Sequence, residues 1–332
     1  MPSADTLREL HRQMVRARVY EETLQQVYLE GKTPAFDIAA GPVPGEMHLA
    51  AGQEPVAAGV CLHLRPTDAI TAPHRPHHVA LAHGVDMKRM TAEIFGKEAG
   101  LGRGKGGHMH LFSTEPAFGC SGIIAEGMPT AVGHALAFKK QGRDDIAVSF
   151  FGEGAANQGA FHESLNLAGL WELPVVFVCE DNAWAISVPK EKSTAVANNA
   201  ERGVAYGMPG VLIDDNDPVA VYEAAGEAVA RARRGGGPSL IEVKTDRKLG
   251  HFEGDPQLYR GKEEFERLEA EDAVHRFERA LVADGTLDTD GAEAVWEAAR
   301  AEVDEAVEFA RSSPYPAPES ALEDVFAASG GQ

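Results

Sequence analysis

The sequence predicts an α/β fold: a parallel sheet flanked by helices on both faces, followed by a helical carboxyl-terminal extension. Three observations predict it. Residues 146–151 are a strand-like apolar run, 158–171 carry Phe161, Leu165, Ala168 and Leu170 at helical spacing, and 174–179 are a second apolar run. Further on, a strand at 211–214, a helix at 218–234 and a strand at 239–245 follow the same order. Strand–helix–strand units make parallel sheets with right-handed crossovers. Third, Gly152-Glu153-Gly154-Ala155-Ala156-Asn157 and Glu180-Asp181-Asn182 fall at carboxyl ends of strands, the edge where open α/β sheets bind ligands.

Residues 3–30 read as an amphipathic helix, with Thr6 and Glu9 as a capping box and Leu7, Leu10, Met14, Leu24, Val27 and Tyr28 on its apolar face. Residues 31–52, rich in Gly and Pro, read as loop, and 53–64 as a short buried helix. A His-rich connection over 66–84 enters a helix at 79–82, and 87–95 is another helix. Residues 96–122 hold eight glycines and little periodicity. Loops of this length inside a domain are usually functional or disordered, and Arg103, Lys105, His108 and His110 point to function. Residues 127–140 form a helix feeding the strand at 146, and 187–203 a second long loop. Gly235-Gly236-Gly237-Pro238 precedes the last strand, whose carboxyl end carries Arg247 and His251. From Lys262 the chain is helical and acidic, ending in a Pro-rich turn at 312–318. No long linker interrupts it, so residues 1–260 are expected to form one domain and 261–332 an extension of the same unit.

The 332 residues are 44% hydrophobic and 25% charged, an ordinary globular composition. No apolar run approaches the ~18 residues that a membrane helix needs. The amino terminus lacks a basic-then-apolar signal pattern. Cys61, Cys120 and Cys179 are far apart and odd in number, which suggests a reduced, cytoplasmic setting. A net charge of −20 argues against a nucleic-acid partner. Residues 262–332 hold 6 Lys/Arg against 19 Asp/Glu, a net of −13, so the acidity is mainly a carboxyl-terminal surface. A solvated helical face explains it most simply; a basic partner or high-salt adaptation are alternatives.

Glu153 and Asn182 could meet at the sheet edge as two oxygen ligands of one Mg²⁺, which takes its other ligands from phosphates and water. Glycines let backbone approach the phosphates, and the next helix offers its amino end to them. The third glycine of a dinucleotide fingerprint is absent. Arg75 could hold a phosphate in a bidentate way. His74, His77, His78 and His83 read as surface and packing residues, and zinc is a weak alternative, since no Cys or carboxylate joins them at a standard spacing. Residues 102–108 resemble a phosphate cradle in composition but follow no strand, so a mobile loop is the simpler reading. His48 and His251 sit in Gly-bounded loops, and imidazoles suit proton transfer.

Together the segments GEMHLAAGQEPVAAG (45–59), GKGGHMH (104–110), GIIAEGMP (122–129), GEGAANQG (152–159), FHESLN (161–166) and Glu180-Asp181-Asn182 resemble the alpha subunits of thiamine diphosphate-dependent 2-oxo acid and acetoin dehydrogenases. The resemblance spans roughly 15–260, with an echo at Ser313-Pro314-Tyr315-Pro316. It implies a thiamine diphosphate-binding fold in which Glu153, Asn182 and the Trp184 carbonyl hold Mg²⁺ against the diphosphate, with backbone contacts from Gly152, Gly154 and Ala155. Arg75 and His251 would neutralise phosphate charge or line the mouth, with His74 where the family usually has Tyr. Gly122 and Ile124 would bond the aminopyrimidine through backbone, the Ile124 side chain wedging the cofactor into a bent shape. His48 and His251 would be the catalytic histidines, His48 assisting proton transfer. The implied partners are a beta subunit, in an alpha2beta2 heterotetramer that supplies the cofactor-activating glutamate, and a lipoyl-bearing acyltransferase. Residues 250–255 with Tyr259-Arg260 look most like the acetoin branch; pyruvate or a branched 2-oxo acid is the alternative, and a non-catalytic scaffold subunit or an unrelated phosphate-dependent enzyme the more distant ones. Two departures stand out: Glu153 replaces the usual Asp, and Phe252 stands where mitochondrial relatives carry a regulatory serine.

Overall fold

In the computed structural model, which describes residues 2–323, the first helix is α1 (Ala4–Leu29). Its cap is Ser3, whose hydroxyl accepts the Thr6 amide at 3.2 Å. The expected Thr6–Glu9 capping box does not form, because the helix starts earlier and Glu9 is drawn to Arg12 instead. α2 (Glu54–Cys61) is buried along its whole length. The His-rich connection contains an unexpected strand, β1 (Ala69–Ala72), before α3 (His77–His83) and α4 (Met87–Ile94). The long glycine-rich segment likewise holds a hairpin, β2 (Phe112–Thr114) and β3 (Ala117–Cys120). α5 (Gly127–Gln141), β4 (Ala147–Gly152), α6 (Gly159–Leu170) and β5 (Val175–Asp181) follow as expected.

The segment expected as a loop at 187–203 is structured. A small hairpin, β6 (Trp184–Ala185) with β7 (Val188–Pro189), leads into α7 (Lys190–Ser193) and a 3-10 turn (Asn199–Tyr206). Then come β8 (Gly210–Ile213), α8 (Pro218–Arg233) and β9 (Ser239–Lys244). The carboxyl-terminal extension is α9 (Lys262–Ala270), α10 (Ala273–Ala283) and α11 (Thr289–Ser312). Residues 324–332 of that extension lie outside the described residues.

Seven strands form one sheet in the order β2-β3-β1-β4-β5-β9-β8, parallel except for β2. Side chains alternate across a strand, and the alternation sorts the core into two apolar clusters. Val148, Phe150, Val176, Val178, Ile241 and Val243 face one side, with residues of α1, α2, α8, α10 and α11. Ala147, Phe151, Val175, Phe177, Cys179 and Leu240 face the other, against α5 and α6. Both faces are therefore covered, as a parallel sheet requires. Among the described residues no helix is long and apolar enough to cross a membrane.

The α2–α8 crossing depends on Gly59. A Cβ there would lie 2.6 Å from Val221 Cγ1 and 2.9 Å from the Tyr222 amide nitrogen. Gly59→Ala is expected to destabilise by about 1–3 kcal/mol through overpacking, despite alanine's better helix propensity. Thermal denaturation checks it; unchanged stability would mean that α8 yields freely.

The chain runs from β1 toward β3 on one side of the sheet and from β4 toward β5 on the other. Between β1 and β4 the winding reverses, and the crevice outside such a switch point is where α/β sheets hold ligands.

Candidate functional site

A cavity of about 650 Å³ opens there. His74 and Arg75 come from the turn after β1, Gly152 to Ala155 from the end of β4, and Asn182 and Trp184 from beyond β5. Gly122, Ile124, His48 and His251 complete the wall, so the residues that the resemblance assigns to the cofactor site line one space.

Glu153 opens a 3-10 turn (Glu153–Asn157) directly after β4. The expected helix, α6, starts after this turn at Gly159. Glu153 is buried, one carboxylate oxygen accepting the Asn182 amide at 3.3 Å. The other, Oε1, is buried without a partner. Burial, followed by the nearby Asp181 charge, pushes its pKa up to about 7. An orphaned, partly protonated carboxylate with an adjacent amide oxygen is a donor set short of a cation, and oxygen donors suit Mg²⁺. Asp181 is not available for that role, because Lys190 pairs it and also bonds Glu242 at 2.7 Å. Gly154 has a packing reason to be glycine: a Cβ would lie 2.7 Å from Ala185 Cβ. That close fit seats the β6–β7 hairpin, and Glu264 (3.0 Å to the indole nitrogen) holds Trp184 in it.

The same cavity also carries cationic groups, Arg75 and Arg247. Arg75 donates to the Leu49 carbonyl at 2.7 Å and to the His251 carbonyl, which fixes its guanidinium. Burial and then Arg247 lower its pKa to about 9, so it stays charged at neutral pH. Arg247 is itself buried, with Nε unpartnered. The nitrogens of His48, His74 and His251 lie within 4.8 Å of one another. Burial and Arg75 push His48 to about 3 and His251 to about 4, and hold His74 well below its usual range. Three neutral imidazoles beside two guanidinium groups suit an anion, since the same field that repels their protons repels a metal cation. Both His74 nitrogens are buried and unpartnered, ready for such a ligand.

His77, His78 and His83 of the His-rich connection are buried. His77 meets Glu21 at 3.2 Å, His78 meets Glu180 at 2.6 Å, and His83 meets the Asp68 carbonyl at 3.2 Å. Burial opposes a charge on His78, but Glu180 overcomes it and raises its pKa. Their partners differ, so the four do not converge on a metal.

The glycine-rich loop already holds its anion. The amides of Gly102, Gly104 and Gly106 donate to the Glu93 carboxylate at 2.7, 2.8 and 2.6 Å. The expectation of a mobile loop is thus corrected: a buried carboxylate from α4 organises it. Glu93→Gln keeps the shape but loses the charge that strengthens three hydrogen bonds and places one amide's donors against donors. It is expected to cost about 2–4 kcal/mol, read as a lower melting temperature and faster proteolysis at 96–110. A loop that stays protected would show that its neighbours suffice.

Sequence reasoning missed three residues of the site. Gln53, which accepts the Asn182 side-chain amide at 3.3 Å, stands inside a segment already singled out as a match. Arg247 was placed on the ligand edge without a role. His108, which meets His48 at 3.3 Å, was pointed to by its loop and by the matching segment 104–110 but was given no role.

Fold and cavity together define a class: parallel α/β proteins with a switch-point crevice that carries both oxygen donors and guanidinium groups. The dehydrogenase E1 component family matches residues 35–319, and the chain belongs to that family. Its members are thiamine diphosphate-dependent. The chain is 43% identical to the alpha subunit of acetoin:2,6-dichlorophenolindophenol oxidoreductase of Bacillus subtilis (strain 168), over 96% of this chain and 92% of that one. Identity is 41% to the protein of the same name from Cupriavidus necator, over 97% and 94%. It is 37% to the 2-oxoisovalerate dehydrogenase subunit alpha of Bacillus subtilis, over 96% and 94%. All three are named as alpha subunits.

Proposed function

We propose that the cavity holds thiamine diphosphate with Mg²⁺, and that the chain is the alpha subunit of a dehydrogenase component that cleaves acetoin. The observation that carries this is the buried, unpartnered oxygen of Glu153 facing the same space as Asn182 and Arg75. Glu153, Asn182 and the Trp184 carbonyl would hold the metal. Gly152, Gly154 and Ala155 would offer backbone, and His74, Arg75 and His251 would meet phosphate oxygens. Gly122 and Ile124, which line the cavity and are partly exposed, would bound the ring system.

Bound there, the cofactor supplies an electron sink for breaking a carbon–carbon bond next to a carbonyl. The protein's own part is positional. Arg75 cannot swing away, because two carbonyls fix it. His48 and His251 rest neutral, and each becomes a cation when it accepts a proton at the cavity and is neutral again once it returns it. The Ile123 and Ile124 side chains exclude water from one wall once a partner covers them.

The acetoin reading is favoured by the two relatives named for acetoin, both more similar to this chain than the 2-oxoisovalerate one. The working unit is an alpha2beta2 heterotetramer in the cytoplasm, and the acyl group passes to a lipoyl-bearing acyltransferase. Residues 1–260 carry the cofactor, and the extension that starts at 261 belongs to the same unit. Dye reduction by this chain co-purified with its beta subunit, with Mg²⁺ and with or without thiamine diphosphate, tests the reading on acetoin, pyruvate and branched 2-oxo acids. Cofactor-dependent turnover of acetoin is expected. Preference for a 2-oxo acid would move the chain to another branch, and turnover by the purified alpha chain alone would overturn the heterotetramer.

A further inference from the structure

We propose, resting on the metal site described above, that Glu264 is a positioning residue for the Trp184 carbonyl, through which the carboxyl-terminal extension serves that site. Glu264 belongs to α9 and does not line the cavity. Trp184 does line it, and stands opposite Pro189 in the β6–β7 hairpin. Proline has no N–H, so Pro189 cannot take the Trp184 carbonyl, and the ladder leaves that oxygen open to a cation. Local preference does not hold this hairpin in shape. Ala183 (φ 67°) and Ile186 (φ 58°) flank Trp184 and Ala185 with left-handed backbone, which is unfavourable for a β-branched side chain such as that of Ile186. Strain of this kind persists only where the surroundings fix it.

Arg247 supplies one hold, donating to the Ile186 carbonyl at 3.2 Å. Glu264 supplies the other. Its Oε1 accepts the Trp184 indole N–H at 3.0 Å and the Arg260 Nε–H at 2.9 Å. Indole and guanidinium groups only donate and a carboxylate only accepts, so the direction of both bonds is fixed by chemistry. Arg260 is buried and is itself gripped. It donates to the Arg247 carbonyl at 2.8 Å, to the Leu249 carbonyl at 3.3 Å and to Gln257 Oε1 at 2.8 Å. The Glu264 carboxylate is thus anchored to the segment that brings Arg247 and His251 into the cavity. The Trp184 ring also packs on Tyr259 of that segment, with centroids 5.1 Å apart. One oxygen of Glu264 therefore ties the hairpin with the metal carbonyl to the segment with the cationic group.

Calorimetric Mg²⁺ binding to the alpha–beta complex with thiamine diphosphate tests this. E264L removes the acceptor, whereas E264Q keeps an oxygen that can take the indole N–H. E264L is expected to raise the Mg²⁺ Kd about 10-fold, as loss of a group that supports a metal ligand does. E264Q is expected to stay within about 3-fold of the wild type. W184F separates positioning from general bracing, because it keeps the backbone carbonyl and loses the N–H. E264L lowers the melting temperature in either background, but in W184F it is expected to weaken Mg²⁺ by no more than about twofold further. Mg²⁺ losses that multiply in the double variant, or wild-type Mg²⁺ affinity in E264L, overturn the proposal. A readout without cofactor stands beside it: the Trp184 indole proton resonance, assigned by its absence in W184F, is expected to move upfield in E264L. An unmoved resonance would mean that Glu264 does not hold the indole. No Mg²⁺-dependent binding by the wild-type complex would overturn the cofactor reading and this proposal with it, whereas normal wild-type binding with multiplying losses overturns this proposal alone.

Discussion

Glu153→Gln is expected to make the cofactor-free protein more stable and, at the same time, to remove Mg²⁺-dependent thiamine diphosphate binding. The two effects share one cause. The Glu153 carboxyl is raised from an ordinary value of 4.5 to about 7 because folding buries it, and Asp181 stands near. A carboxyl raised on folding favours the folded state while protonated. Its contribution is present below the unfolded value and is lost as pH rises through 7. At pH 8 the buried charge costs about 3 kcal/mol by the linkage between pKa and stability. Glutamine carries no charge and can still accept the Asn182 amide, so the melting temperature should rise by a few degrees at pH 8 and not at pH 4. Binding should move the other way. Outer-shell changes around metals cost roughly 10- to 100-fold in affinity, and loss of a direct ligand should exceed that. At the metal site proposed above, a proton would compete with the metal for Glu153. Metal affinity should therefore fall as pH drops below 7, approaching tenfold per pH unit. Calorimetry of the alpha–beta complex checks both. Unchanged Mg²⁺ dependence in the variant would take Glu153 out of the metal site.

The second large effect lies away from the cavity. Arg18 of α1 is buried between Glu54, at 2.6 Å, and Asp272, at 2.6 Å. Lys248 also reaches Asp272 at 2.6 Å. Three parts of the chain meet here: the amino-terminal helix, the start of α2, and the cap of α10, where Asp272 accepts the Val274 amide at 3.0 Å. Glu54 also takes the Gly52 amide at 2.9 Å, next to the site residue Gln53. Arg18→Met leaves Glu54 buried without a cation, and breaking such a pair from one side costs about 3–5 kcal/mol. Its pH dependence is opposite to that of Glu153. Burial works against ionising Asp272, yet Arg18 and Lys248 hold its carboxyl below the usual range. A lowered carboxyl stabilises above its unfolded value and loses that contribution as pH falls. The deficit of Arg18→Met should thus be largest at neutral pH and shrink below pH ~4. Urea denaturation at pH 7 and at pH 3.5 measures it; an equal deficit at both would mean that packing, not charge, is what Arg18 supplies.

The elements legible in the sequence are those with a period to read. β4, β5 and β9 are apolar runs, and α5, α6 and α8 carry a face, so their bounds match to within a few residues. β1 escaped because Ala69–Ala72 is four residues, all buried, with no alternation. Only its pairing with β3 and β4 makes it a strand. The β2–β3 hairpin escaped for a related reason: Phe112 is exposed on an edge strand, and glycines surround both. For the site, strand ends announced Glu153 and Asn182 locally, Arg75 read as a bidentate phosphate ligand, and the family resemblance supplied Gly122 and Ile124. His77, His78 and His83, read from sequence as surface and packing residues, are packing residues whose partners Glu21, Glu180 and Asp68 are brought in by the fold. Local sequence cannot show that an imidazole will find a carboxylate from another helix.

The carboxylate of Glu93 inside the glycine loop has one more consequence. A loop that waits for an external phosphate must lose its conformational freedom when the ligand arrives, and that ordering weakens binding. Here an internal anion orders the loop as the chain folds. The entropy is lost before any cofactor is present, so capture at the neighbouring cavity meets a wall that is already rigid.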